Sequence, residues 1–346
     1  MMQDHELPLP DFFDPGKVAD IRRIPYQELA ASAGAWADQN NISTAAQDKK
    51  RVGLLLVDVQ NTFCIPGFEL YVGGESGTGA VDDNQRLCAF IYRNLGRVTQ
   101  ICPTLDTHQA AQIFHSLFLV NAAGDHPEPY SLISSEEIEA GAWQVNPALL
   151  ETLGFEKGQA DNFLRHYVQT LKDSGKYELT VWPYHAMLGG IGHALVPAVE
   201  EAVFFHTTTR QVQPDLQVKG GNPLTESYSI LRPEVLTDSD GRGIARKNQA
   251  FTQKLLDFDA LIVAGQAKSH CVAYTIQDLL DVIVSLNPMR AGKVYLLEDC
   301  TSPVVIPDVV SYARQADEAY ARFAEAGMHI VRSTEPVDAW PDFPSP

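Results

Sequence analysis

The run Val263-Ala264-Gly265-Gln266-Ala267-Lys268-Ser269-His270-Cys271-Val272 decides how this chain is read. Residues 261–264 have the length and apolar character of a buried strand, and they stop at a glycine. A short polar turn follows, and the apolar spacing of 272–284 predicts a helix. A cysteine at a helix start faces unpaired backbone N–H groups and the positive end of the helix dipole, so its thiolate is favoured. Most free cysteines are small buried hydrophobes. The strand-turn-helix setting of Cys271 points instead to a nucleophile.

Working outward, the same alternation recurs. Val52 to Val57 is a continuous apolar run of the kind found in strands buried on both faces. A helix is expected over 81–95 and a strand over 97–104, stopping at Asp106. Further on, the pattern predicts a helix near 192–199, a strand near 202–206, an extended segment ending at Lys219 and a helix over 244–256. After the cysteine come a strand at 293–297, a helix over 308–326 and a strand at 329–331. Strands alternating with helices imply an α/β fold, a doubly wound parallel sheet with right-handed crossovers. Residues 1–50 read as an N-terminal extension and linker, with helical character over 26–39. Residues 51–335 read as the α/β domain, and 336–346 as a C-terminal tail. Within the domain, about 121–180 changes character and reads as a helical insertion, a candidate lid, with helices at 147–153 and 159–171.

The 346 residues suffice for one large α/β domain with decorations. With 26 basic against 44 acidic side chains the formal charge is −18, which repels nucleic acid and anionic membranes, so neither is expected as a partner. The five cysteines are scattered and lack CxxC pairing, so no disulfide framework or thiolate zinc site is indicated, and a reducing cytoplasm is expected. Residues 1–23 hold no apolar core of signal-peptide length. No stretch approaches the ~20 apolar residues needed to span a bilayer.

Chemistry-bearing residues cluster at predicted strand ends, where doubly wound sheets place their sites. Asp58 closes the first strand. A carboxylate there is expensive to bury unless it is paired or working, and capping the next turn is the ordinary alternative. Lys219 precedes Gly220-Gly221 and can point into a cleft, although most lysines are solvated. Asp106 and His108 fall on one side of a strand end because strand side chains alternate. With His185 they would make a two-His, one-carboxylate site with open positions, suited to zinc or a related divalent ion. The remaining histidines carry the ordinary reading of core or surface residues, though His115 and His270 lie close enough to line the site.

Together these segments resemble the nicotinamidase/isochorismatase-like cysteine hydrolases, nicotinamidase branch, from about Val52 to Val331. Asp58, Gln60, Phe63 and Gly67 meet the family's strand ending in Asp-x-Gln with a nearby Phe and Gly. Lys219 falls on the lysine of its Lys-Gly…Glu-x-Tyr-Ser segment, here continued by Glu226-Ser227-Tyr228-Ser229. Gly265 to Val272 match its nucleophile turn, and Asp106, His108 and His185 its Asp-x-His and Trp-Pro-x-His elements.

The resemblance implies a triad of Asp58, Lys219 and Cys271, an oxyanion hole from the N–H groups of Ala267 and Cys271, and a cis Gln266–Ala267 peptide. It places Gln266 beside the substrate, and Phe63 either stacks on an aromatic substrate or packs the core. It implies a divalent metal at Asp106, His108 and His185, zinc first, with manganese or iron as alternatives, and a homo-oligomer. The activity implied is hydrolysis of a small primary amide through a thioester, with nicotinamide going to nicotinate and ammonia as the first expectation. Thr107 and Gln109 beside His108, Ala186, and Lys268-Ser269-His270 depart from the usual members at the pocket wall, which sets substrate choice. Two alternatives stay open: an isochorismatase-like hydrolase of another amide, carbamoyl or ether substrate, and a non-catalytic binding or assembly module.

Overall fold

The computed structural model describes residues 6–345, so Met1 to His5 of the extension and Pro346 of the tail lie outside the described residues. Six strands make the central sheet: β1 Val52–Val57, β2 Gln100–Asp106, β3 Gln217–Lys219, β4 Ala260–Gly265, β5 Val294–Leu297 and β6 His329–Val331. They pair in parallel in the order β6-β5-β4-β1-β2-β3. The chain therefore winds outward from β1 to one edge, returns, and winds to the other. This is the expected doubly wound topology, with its switch point between β1 and β4.

The apolar runs follow from burial on both faces. Every residue of β1 and of β4 is buried. Leu54 and Leu56 of β1 enter one core cluster, and Leu55 and Val57 enter the other. Helices α2 (Gly79–Arg93) and α4 (Pro197–Arg210) supply Phe90 and Phe205 to the first cluster. Helices α5 (Gln249–Leu256), α6 (Ala273–Leu286) and α7 (Ala313–Glu325) supply Phe251, Ile276 and Phe323 to the second. Burying each such side chain stabilises the fold by ~1.5–3 kcal/mol.

The extension is part of this packing. Helix α1 (Tyr26–Gln39) has the expected bounds and lies on α4, with Tyr26 against Phe204 and Trp36 against Phe205. Arg210 of α4, fully buried, pairs with Asp48 of the linker. Residues 119–180 hold helix α3 (Lys157–Asp173), the short helices Ser135–Glu139 and Leu150–Leu153, and two small antiparallel ladders. Phe163, Leu164 and Tyr167 of α3 join the first core cluster, so this stretch packs into the same core as the sheet. In the tail, Trp340 stacks on Phe90 and Tyr295.

Several expectations change. No strand forms at 202–206; that run lies inside α4. Its apolar residues are continuous because α1 covers one side of the helix and the sheet layer the other, and a short apolar run of this kind reads equally as a buried strand. The helix expected near 192–199 is a single turn at Ile191–His193 followed by α4. Helix α5 starts at Gln249, where the Asn248 side chain accepts from Phe251 N, rather than at 244. Residues 305–311 form a small hairpin ahead of α7. Among the described residues no helix is long and apolar enough to cross a membrane.

Candidate active site

At the switch point Val57 of β1 pairs with Gly265 of β4, so the two strands deliver Asp58 and the nucleophile turn side by side. Only glycine fits at 265. Its φ is +118°, and a Cβ there would lie 2.1 Å from Val57 O. The Gln266–Ala267 peptide is cis, as the resemblance implied. Residues Lys268–Val272 then form one wide π-type turn that runs into α6. Cys271 stands on this turn, 7% exposed.

Asp58 is fully buried with φ +47°, a left-handed conformation that aspartate tolerates better than most residues. Thr104 of β2 holds it there. The Thr104 hydroxyl accepts from Asp58 N at 3.0 Å and donates to Asp58 Oδ1 at 2.5 Å. Lys219, at the end of β3, brings its Nζ 2.9 Å from Asp58 Oδ2, 2.9 Å from Asp106 Oδ1 and 3.5 Å from Cys271 Sγ. A sulfur and two carboxylates thus converge around one ammonium, with ligand atoms of Asp58, Asp106 and Cys271 all within 4.8 Å of one another.

The electrostatics correct one expectation. Burial pushes the Cys271 thiol well above its ordinary pKa, against the pull of Lys219, and Asp58 and Asp106 push the same way. The ammonium does not outweigh two carboxylates and desolvation, so the thiol keeps its proton at rest. Burial also raises the Asp58 carboxyl, with Lys219 opposing. Lys219 itself is held well above the usual lysine range, because Asp106 and Asp58 outweigh its desolvation. Burial thus favours the protonated form of both the sulfur and the carboxylate, in place of a preformed thiolate.

Asp106, His108 and His185 also come together, with one ligand atom from each inside the same 4.8 Å limit. His108 Nε2 lies 2.8 Å and His185 Nε2 3.9 Å from Asp106 Oδ2. The other ring nitrogens face carbonyls: His108 Nδ1 is 3.3 Å from Gly220 O and His185 Nδ1 2.7 Å from Pro183 O. A carbonyl only accepts, so both rings direct Nδ1–H to the backbone and leave Nε2 facing Asp106. The three side chains thus each offer one ligand atom to a common point. The donor set fits zinc or a similar divalent ion. Gly220 cradles the cluster: its φ is +81°, and a Cβ would lie 2.5 Å from Asp106 Oδ1 and 2.7 Å from His108 Cε1. His115, also buried, lies outside this group, its ring 5.9 Å from that of His185.

A cavity opens onto both clusters. Cys271, Asp106 and His185 contribute polar wall, and Phe63, Trp182 and Val304 contribute apolar wall. Phe63 packs edge-on to His185 at 5.5 Å, so it is wall and core at once. The Ala267 amide finds no acceptor among the described residues, and the Ala267 side chain lines the cavity. Gln266 does not line it. Its Nε2 donates to Asp83 at 2.8 Å and its Oε1 accepts from Ser302 N at 3.2 Å, so the side chain braces the turn from behind. The direct substrate contact expected of that side chain is therefore corrected to a structural one.

Three residues with a place at the site were not singled out from sequence as site residues. Gln60 bonds both ways across the Asp106 backbone, accepting from Asp106 N at 2.7 Å and donating to Asp106 O at 2.8 Å. Glu226, buried on the cavity wall, has its pKa raised to about 7 by burial. Tyr228 shares that wall and accepts from Trp182 Nε1 at 3.0 Å. The alternation of Glu226-Ser227-Tyr228 was the available signal, since residues two apart in extended chain face one way.

No family model matches the chain. The chain is similar to the nicotinamidase of Escherichia coli, 27% identical over 244 residues, which cover 69% of this chain and 81% of that protein. Among solved structures it is similar to the yeast nicotinamidase, with TM-score 0.48 and 17% identity over 81% of this chain and 99% of the other. The Acinetobacter baumanii nicotinamidase/pyrazinamidase gives TM-score 0.47 and 18% identity over 83% and 99%. The pyrazinamidase of Pyrococcus horikoshii, solved in complex with zinc, gives 0.43 and 16% over 82% and 99%.

Proposed function

We propose that this chain is a nicotinamidase-like amidohydrolase that cleaves a small aromatic primary amide, nicotinamide to nicotinate and ammonia, through a thioester on Cys271. The observation that carries the reading is the meeting of Cys271 Sγ, Lys219 Nζ and the Asp58 carboxylate at a cavity wall shared with the Asp106–His108–His185 cluster. The sequence likeness to a nicotinamidase supports the same activity.

Asp58 accepts the thiol proton as the sulfur attacks the amide carbonyl carbon. The carbonyl oxygen takes up the displaced electron pair and is held by the N–H groups of Ala267 and Cys271, donors that need no reorganisation. Asp58 returns its proton to the amide nitrogen, the C–N bond breaks, and ammonia leaves. Water then adds to the thioester with Asp58 as base, the C–S bond breaks, the sulfur is reprotonated and the carboxylic acid departs. Lys219 holds the charge balance of the two carboxylates throughout. Asp106, His108 and His185 would hold the metal, zinc before manganese or iron, and when bound it supplies a Lewis-acid position for a pyridine nitrogen or water of the substrate. Phe63 presents a ring face to an aromatic substrate.

The same proposal assigns 51–335 to the catalytic domain with the insertion at 121–180, and 1–50 and 336–346 to docked additions. It takes the enzyme to be a cytoplasmic homo-oligomer acting on small molecules, with no nucleic-acid or membrane partner; light scattering on eluted protein tests the assembly.

Ammonia release from nicotinamide, with metal content measured on the same sample, tests the activity. Wild type is expected to turn over and Cys271→Ala to fold and release none. Metal-replete wild type that releases no ammonia from a panel of primary amides overturns the reading.

A further inference from the structure

Asp83 is a buried carboxylate that the proposed mechanism leaves unused. It stands on α2, 2% exposed, and is not part of the wall of the substrate cavity. Its Oδ2 accepts from Gln266 Nε2 at 2.8 Å, and its Oδ1 pairs with Arg86 at 3.0 Å. Burial raises its pKa, while bonds from Ser302, Gln266 and Arg86 pull it back. Packing alone does not call for a charge in such a place, since apolar groups of similar volume are often as stable.

What the charge does is fix an orientation. A carboxylate only accepts, so the Gln266 amide turns Nε2 to Asp83 and Oε1 the other way. That Oε1 accepts from Ser302 N at 3.2 Å, and Ser302 O accepts from Lys268 N at 2.8 Å. The backbone of Ser302 therefore clips both neighbours of Ala267, through the Gln266 side chain on one side and the Lys268 amide on the other. Gln266 N donates to Val57 O at 2.8 Å, which ties the same residue to β1. Ala267 N lies inside this clip, and it is the amide left free at the cavity for the oxyanion. A bond to a charged acceptor is roughly twice as strong as one between neutral groups, so the carboxylate holds the clip more firmly than an amide would.

We propose that Asp83 is a positioning residue which, through Gln266 and Ser302, holds the Ala267 N–H where the substrate oxygen becomes negative. This rests on the amidase reading above and extends it to a group outside the cavity. Oxyanion donors are effective because they are set in place before the charge develops. A donor that must find its place at each turnover loses part of that gain, and the loss falls on the transition state rather than on substrate binding.

The test uses Asp83→Asn, Gln266→Met and the double variant, with rates expressed per Cys271 counted by alkylation and mass spectrometry. Asp83→Asn keeps the shape but offers one oxygen to two donors. In each single variant kcat on nicotinamide is expected to fall about tenfold, short of the ~10²–10³ that loss of an oxyanion donor costs, with KM nearly unchanged. The double variant is expected to fall no further than the worse single, because both act through one amide. Losses that multiply, or that sit in KM, overturn the proposal. A second readout needs no turnover. Pyridine-3-carboxaldehyde takes the Cys271 sulfur at its carbonyl carbon and leaves its oxygen where the oxyanion forms, whereas nicotinate makes no such bond. The aldehyde Kd is expected to rise by about the factor lost in kcat, and the nicotinate Kd to stay as in wild type. Equal weakening of both ligands, or of neither, sinks Asp83 as a positioning residue. If no amide releases ammonia the amidase reading falls alone, and the two affinities still judge Asp83. Asp83→Ala, which leaves no unpaired polar atom at that position, takes the place of Asp83→Asn if the latter does not fold.

Discussion

Lys219 Nζ lies 2.9 Å from Asp106 Oδ1, an ion pair that ties the nucleophile cluster to the metal-ligand cluster through a single ammonium. Asp106 divides its oxygens accordingly, Oδ1 to the lysine and Oδ2 to the two histidines. Lys219→Met removes the one cation between two buried carboxylates. Breaking a buried pair in this way costs ~3–5 kcal/mol. The variant is expected to lose that much stability in urea unfolding and to show no detectable ammonia release. A variant as stable as wild type would mean the carboxylates do not depend on the lysine.

Thr104→Val keeps the side-chain volume and removes the hydroxyl that both accepts from Asp58 N and donates to Asp58 Oδ1. A donor to a carboxylate favours its charged form, so losing it raises the Asp58 pKa further. Asp58 has to be ionised to accept the thiol proton. The acid limb of kcat/KM against pH is therefore expected to move to higher pH, with about a tenfold loss at neutral pH from the lost donor to the carboxylate. An unmoved limb would remove Asp58 from the role of base.

Gly220→Ala places a methyl group where Asp106 Oδ1 and His108 Cε1 already stand, on a backbone with φ +81°. Metal content of the purified variant is expected to fall well below that of wild type, together with activity, and added zinc is not expected to restore it fully. Normal metal loading in Gly220→Ala would show that the cluster tolerates displacement.

His206 is buried in α4 with Nε2 2.9 Å from Val98 O, and burial pushes its pKa down to about 4. The unfolded chain regains the ordinary value of about 6.5, so between these values it binds the extra proton. The stabilisation is complete above the unfolded value and is lost as pH falls toward the folded one. Between about pH 7 and about pH 5 this group alone should remove on the order of 2 kcal/mol. Urea unfolding at the two pH values measures it, and His206→Gln is expected to lose less on acidification than wild type. Equal losses would assign the acid sensitivity to other groups.

Much of the site was legible because its chemistry ends strands. Asp58, Asp106 and Lys219 each close a β-segment, and a parallel sheet aligns such ends. What escaped has physical reasons. Residues 202–206 are apolar all round because helix α4 is packed on both sides, which erases its amphipathic signature. The resting state of Cys271 depends on how many carboxylates share Lys219, and Asp106 joins that count only through the fold. The Gln266 side chain points to Asp83 rather than the cavity, a direction set by its partners. Leu70, Val72 and Val304 line the cavity from irregular segments, where no period marks a buried face.

Tyr177, within residues 121–180, reaches the nucleophile turn: its hydroxyl donates to Ser269 O at 3.2 Å while its ring abuts that of His270. A decoration that braces the reacting end of the sheet cannot be pruned as surface ornament. Chimeras that exchange the segment would transplant a buttress along with a loop.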